Sequence, residues 1–194
     1  MWRFRAGGGG RTASHGFENQ SAAASEAGVT SLGEAALKGA ASGLAGAAIM
    51  TIGEKVEQQF TGRPSSYVPG RTLASLLGLE RPDEDRFARN MTMHYGTGAL
   101  LGALRGIMAA ANLRGPYASL MHTPVRLSTD QLLENLTGVG APPWTWPRDE
   151  QVIDVVHKAV YSLASGAIAD AVISPLPTSS AQRALPGRRL KGFA

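Results

Sequence analysis

Cysteine is missing from all 194 residues. That removes disulfides, thiolate nucleophiles and cysteine metal sites from consideration. Aromatic residues make up only 6% of the chain, and no RNP-type aromatic motif, zinc finger or long basic run is present. The balance of 19 Lys+Arg against 15 Asp+Glu, a net +4, is small and scattered. Neither feature argues for nucleic acid. Long apolar runs are lacking too. The longest stretches free of Asp, Glu, Lys and Arg, residues 39–53 and 90–104, each hold 15 residues, short of the ~18 that mark a spanning helix. There is no G-x-G-x-x-G or Walker A motif, and the GGGG at 7–10 opens no helix or strand, so no phosphate cradle is expected. GAASG at 39–43 has the serine of a nucleophile elbow but no strand before it, which excludes an elbow-type hydrolase.

What the chain does have is glycine, 24 residues of it, and a mean hydropathy of −0.07. Residues 1–30 contain few large apolar side chains and are expected to be disordered. They have no apolar secretory core. Arg3, Arg5 and Arg11 with several serines permit a transit-peptide reading, against which Glu18 and Glu26 argue. Residues 175–194, with three prolines, four basic residues and no acid, form a second expected tail.

Between the tails, residues 31–174 read as a domain of four main helices. The first covers about 31–60. Its Gly39, Gly43, Gly46 and Gly53, with Met50 filling the gap, lie at spacings of four, three, four and three on one seam. The second begins at Pro82, with Asp83, Glu84 and Asp85 in its first turn, and runs to about residue 113. Gly98, Gly102 and Gly106 repeat at i+4 along it, a doubled GxxxG. Glycine costs about 0.5–1 kcal/mol in a helix interior relative to alanine, so such seams imply close helix–helix approach. They also offer a surface for homo-oligomers. Between these two helices, residues 72–79 form a short helix. The last helix covers about 148–173.

HTPVRLSTDQLLEN (122–135) places His122, Arg126, Asp130 and Glu134 at i+4 intervals. One continuous helix would align them in a polar stripe. Pro124, however, predicts a break, with short helices at 116–122 and 129–137. Ser128 and Gln131 read as a capping box, with Leu127 and Leu132 as its staple. On that reading only Glu134 remains a site candidate here. The other polar candidates are Asn90, His94 and Arg105 on the second long helix and Asp154, His157 and Tyr161 on the last.

APPWTWPRDEQVIDVVHKAVYSLASGAIAD (141–170) resembles the end of the small inner-membrane proteins of the YagU type, with Pro142, Pro143, Pro147, Glu150 and His157 in matching order. GAASGLAGAAIMTIGEKVE with the later Pro69 and Arg71, and NMTMHYGTGALLGALRG, resemble two earlier helices of that family. The likeness spans about residues 35–173. It implies a multi-pass membrane protein and supplies no reaction. Arg105 and Asp170 depart from it by interrupting the apolar helices.

The expectation is therefore an all-α, membrane-embedded bundle in contact with the lipid bilayer. Trp144 and Trp146 serve as an interfacial anchor, and basic termini place both ends on the cytoplasmic side. Its intramembrane polar residues tie helices together or relay protons. No cofactor and no metal is expected in this reading. The alternative is a soluble or peripheral cytoplasmic bundle, an enzyme whose His157 and Asp154 join Asp130, Glu134, His94 or His122 around a metal.

Overall fold

Ser31 supplies the first helix signal. Its hydroxyl accepts the N–H of Glu34 at 3.0 Å, satisfying a donor that the helix itself cannot. Helix α1 then runs Leu32–Thr61 and ends at Gly62, whose φ of 70° suits glycine. The computed structural model describes residues 31–176. Residues 1–30 and 177–194, which hold nearly all of both expected tails, lie outside that range. Leu176 belongs to the domain rather than to a tail: its N–H donates to the Ala110 carbonyl at 2.8 Å, and its side chain packs on the Ala35–Ala109–Ala169 cluster.

The remaining elements are α2 (Val68–Leu76), α3 (Arg86–Ala110), α4 (Gly115–Leu136), a 3-10 turn (Pro143–Thr145) and α5 (Arg148–Val172). The described residues are helical without strands, in five α-helices rather than four. Two departures from expectation trace to prolines. Residues 82–85 form a turn, and α3 starts only at Arg86. Asp83 is engaged by Arg71 at 2.8 Å, and Asp85 takes a left-handed φ of 48°, so these acids do not begin a helix.

The second departure is larger. Residues 115–136 form one helix with Pro124 inside it, not two short helices. Pro124 cannot donate to the Leu120 carbonyl. Both residues lie on the exposed side of α4, so the missing bond and the ring fall on the outer face. On the inner side the Thr123 hydroxyl donates to Ser119 O at 3.1 Å. No cap forms at Ser128, which is exposed within the helix.

α1, α3, α4 and α5 alternate in direction. α1 and α3 meet backbone to backbone. A Cβ on Gly39 would lie 2.7 Å from Gly106 Cα, and one on Gly43 would lie 2.7 Å from Gly102 Cα. Gly98 faces Ala47 on the same seam. Gly46 instead faces α5, at Ser165 and the Tyr161 carbonyl. Gly53 touches nothing within 4 Å and has no packing role. The two seams thus fill each other within one chain, and any contact between copies must use another surface.

The interior is small and polar. Its aliphatic part is mostly alanine, with Met50, Leu101 and Ile173. The largest wholly buried side chains include Arg105, Arg126, Tyr161 and His122. The large aliphatics lie outside: Leu37 is 75% exposed, Leu100 68% and Leu136 75%.

Candidate functional site

Two polar clusters occupy opposite ends of the bundle, joined by a hydrogen-bonded layer. At one end, α1 and α5 begin and finish beside the α3–α4 connection. Here Asp170 on α5 accepts from Arg105 on α3 at 2.8 Å and from the Gly115 backbone N–H at 2.7 Å. The Arg114 guanidinium donates to the Asp170 carbonyl and, at 2.7 Å, to the Ile173 carbonyl. Gly115 holds a φ of 81° at this corner, a conformation that glycine adopts without strain. Gly166 lets α4 and α5 close around Arg105: a Cβ there would lie 3.0 Å from Arg105 Nε and would clash with the Ser119 hydroxyl. The result is a tied end.

The middle layer is built on Tyr161 and His122. The Tyr161 hydroxyl donates to the Gly98 carbonyl at 2.6 Å. The His122 ring contacts Ser162 Oγ at 3.2 Å and the Leu101 carbonyl at 3.1 Å. Each bond crosses between helices, and each satisfies a group with no access to water.

The other end is open. There α4 and α5, the 137–147 loop, α2 and the end of α1 enclose a cavity of about 380 Å³. Glu54, Asp130, Glu134, Glu150 and Asp154 line it, with Lys158, Arg63, His94 and His157. A chain of ion pairs crosses its floor. Asp154 pairs with Lys158 at 3.0 Å, Lys158 with Asp130 at 3.2 Å, and Asp130 with Arg126 at 3.1 Å. Arg126 also lies over the Tyr161 ring, 4.8 Å from its centroid, a cation–π placement. A second, smaller cavity of about 30 Å³ continues beneath, between Thr72, Thr97 and Arg126. At the rim, Arg63 donates to Glu57 at 2.9 Å. That hydrogen bond raises the arginine pKa and keeps it charged.

Asp154, His157 and Glu134 from the sequence candidates line the open cavity, and so do His94 and Asn90. His94 is tied to Thr51 at 3.1 Å. Asn90 is structural on one side: its side-chain oxygen accepts the Gly70 N–H at 3.0 Å and locks α2 to α3. Tyr161 lies in the middle layer, and Arg105 at the opposite end. Trp144 is 81% exposed. Trp146 instead turns its ring N–H to the Ala141 carbonyl at 2.8 Å and lines the cavity. Since α4 is unbroken, the expected break at Pro124 is corrected: His122, Arg126, Asp130 and Glu134 form one stripe, with His122 in the middle layer and the other three at the open end. Arg126 and Lys158 are the central members that the residue-by-residue reading missed. The i+4 ladder itself carried the signal for Arg126, and the Asp154–Lys158 spacing of four carried that for Lys158. Thr72 had no signal, because only the fold of α2 brings it there.

Among the described residues no three His, Asp or Glu side chains converge as metal ligands would. The acids and histidines of the cavity are spread along its wall. No protein-family model, curated protein or solved structure matches the chain.

Proposed function

We propose that this chain is a small multi-pass membrane protein whose buried polar residues tie its helices together. One observation carries the reading: the interior and exterior are sorted opposite to a water-soluble protein. Arginines, a histidine and a tyrosine are wholly buried, while leucines, isoleucines and valines line the outside. In water such sorting discards the main driving force for folding. In hydrocarbon it is what solvation demands, because charged groups face the bundle interior and pair there. Close glycine packing supports the same reading, since van der Waals contact replaces the hydrophobic effect between helices in lipid. α1 and α5 are both long and apolar enough to span. Exposed Trp144 suits the interface. The YagU-type resemblance implies the same class.

Within this reading the Arg105–Asp170–Arg114 knot is structural. The open cavity is an aqueous vestibule entering from one side. Alkaline carbonate extraction of membranes from expressing cells tests the proposal. The protein stays with the pellet if it spans, and release into the supernatant overturns the reading.

A further inference from the structure

The open cavity faces two sets of polar atoms that the protein leaves without partners. The first set is made of donors. Arg126 is 1% exposed, and neither its Nε nor its Nη1 has a hydrogen-bond partner among the described residues. Its contact with Asp130 is an ion pair without an aligned hydrogen bond. Thr72, wholly buried, has an equally unpartnered hydroxyl. Both line the 30 Å³ recess at the cavity floor. The second set is made of acceptors. Gln131 Oε1 is buried with no donor, and the Glu134 carboxylate enters no ion pair among the described residues. Both line the larger vestibule above, and Glu134 also borders the recess, as do Asp130 and Lys158.

A buried guanidinium whose N–H groups lack aligned acceptors is costly in a protein. Arg105, the other wholly buried arginine, donates to a carboxylate and a backbone carbonyl, although its Nε too has no partner among the described residues. Arg126 has only the Asp130 ion pair at 3.1 Å, with no aligned hydrogen bond to its Nε or Nη1. A planar guanidinium fork is matched best by a planar carboxylate. The recess has room for a group of about that size, and the Thr72 hydroxyl stands ready as a further donor. Carboxylate alone does not suit the cavity as a whole. Its wall carries five acids, Glu54, Asp130, Glu134, Glu150 and Asp154, against Arg63, Lys158 and Arg126. An ammonium group one or two bonds from the carboxylate would meet the free acceptors.

We infer that the vestibule is a binding site for a small zwitterion, a neutral α-amino acid, with its carboxylate on Arg126 and Thr72 and its ammonium toward Gln131 and Glu134. The acidic wall disfavours acidic side chains, and the 380 Å³ volume lies at the small end of ligand pockets. This goes beyond the membrane reading and does not depend on it, because the unmet donors and acceptors are the same in any surrounding medium.

Calorimetric titration of the purified full-length protein tests the inference, with glycine, L-alanine and L-serine as probes beside acetate and ethylamine. At least one of the three amino acids binds saturably. Acetate and ethylamine each bind about tenfold more weakly or worse, because each meets only one set of partners. Arg126→Gln weakens amino-acid binding by about tenfold or more. Thr72→Val, nearly isosteric and uncharged, weakens it by a smaller factor and keeps the test valid if the arginine variant does not fold. Binding of none of the three amino acids overturns the inference and leaves water as the filler of the recess. So does acetate binding as tightly as they do, or binding unchanged in both variants.

Discussion

The two ends of the bundle handle buried charge in different surroundings. At the closed end Asp170 meets Arg105, Arg114 caps the carbonyls of α5, and Gly115 donates its backbone N–H. The charges there stabilise an otherwise alanine-lined contact. At the open end Arg126, Asp130, Lys158 and Asp154 form a chain of ion pairs, yet donors and acceptors remain unmet around a cavity. The closed end also leaves Arg105 Nε and Asp170 Oδ1 without partners, and what sets the open end apart is the cavity against which its unmet groups lie. Satisfied polar networks rigidify, while partly satisfied ones mark a place where another molecule or water belongs.

The largest expected effect breaks the closed end. Arg105→Leu strands Asp170 in a buried setting and costs about 3–5 kcal/mol in thermal or denaturant unfolding. Replacing both residues by leucine costs less than the two single changes summed, because neither charge is then left alone. At the open end Glu134→Gln has no pair to break and shifts stability by less than about 0.5 kcal/mol. Equal losses at the two ends would erase the contrast.

Next in size is the seam between α1 and α3. Gly102→Ala places a methyl 2.5 Å from Gly43 Cα, where only backbone can yield, and costs about 1–3 kcal/mol or more. Gly53→Ala meets nothing within 4 Å and stabilises α1 by about 0.5–1 kcal/mol. A loss at both positions would mean that the seam extends further than the structure places it. The smallest change sharpens the ladder. Pro124→Ala restores one backbone hydrogen bond in a continuous α4 and adds about 1 kcal/mol. A loss of stability there would point to a functional break in the helix.

How much of this was legible in the sequence differs from element to element. α1 and α5 fall within one residue of the positions that Ser31, Pro147 and the flanking acids predict, because local capping signals set their ends. α4 did not, because a proline's effect depends on which face carries it. With Pro124 turned outward the helix continues, and no local rule contains that information. Asp154, His157, Glu134 and His94 could be named as site candidates because their residue types and helical spacing are visible one helix at a time. The recess between Thr72 and Arg126 could not, since it exists only where α2 folds back against α3 and α4. Gly53 shows the reverse error: it continues the regular spacing, yet nothing lies within 4 Å of a Cβ there.

The central claim is that aliphatic side chains face lipid while polar ones face an aqueous vestibule. Because the chain contains no cysteine, a single introduced thiol reports its own surroundings. Leu100→Cys and Leu163→Cys lie on the outer face, and Glu134→Cys lies in the vestibule. The decisive measurement is the rate at which a water-soluble maleimide labels each variant in opened membrane vesicles. The account predicts rapid labelling at position 134 and protection at positions 100 and 163. Labelling at 100 and 163 as fast as at 134 would contradict it.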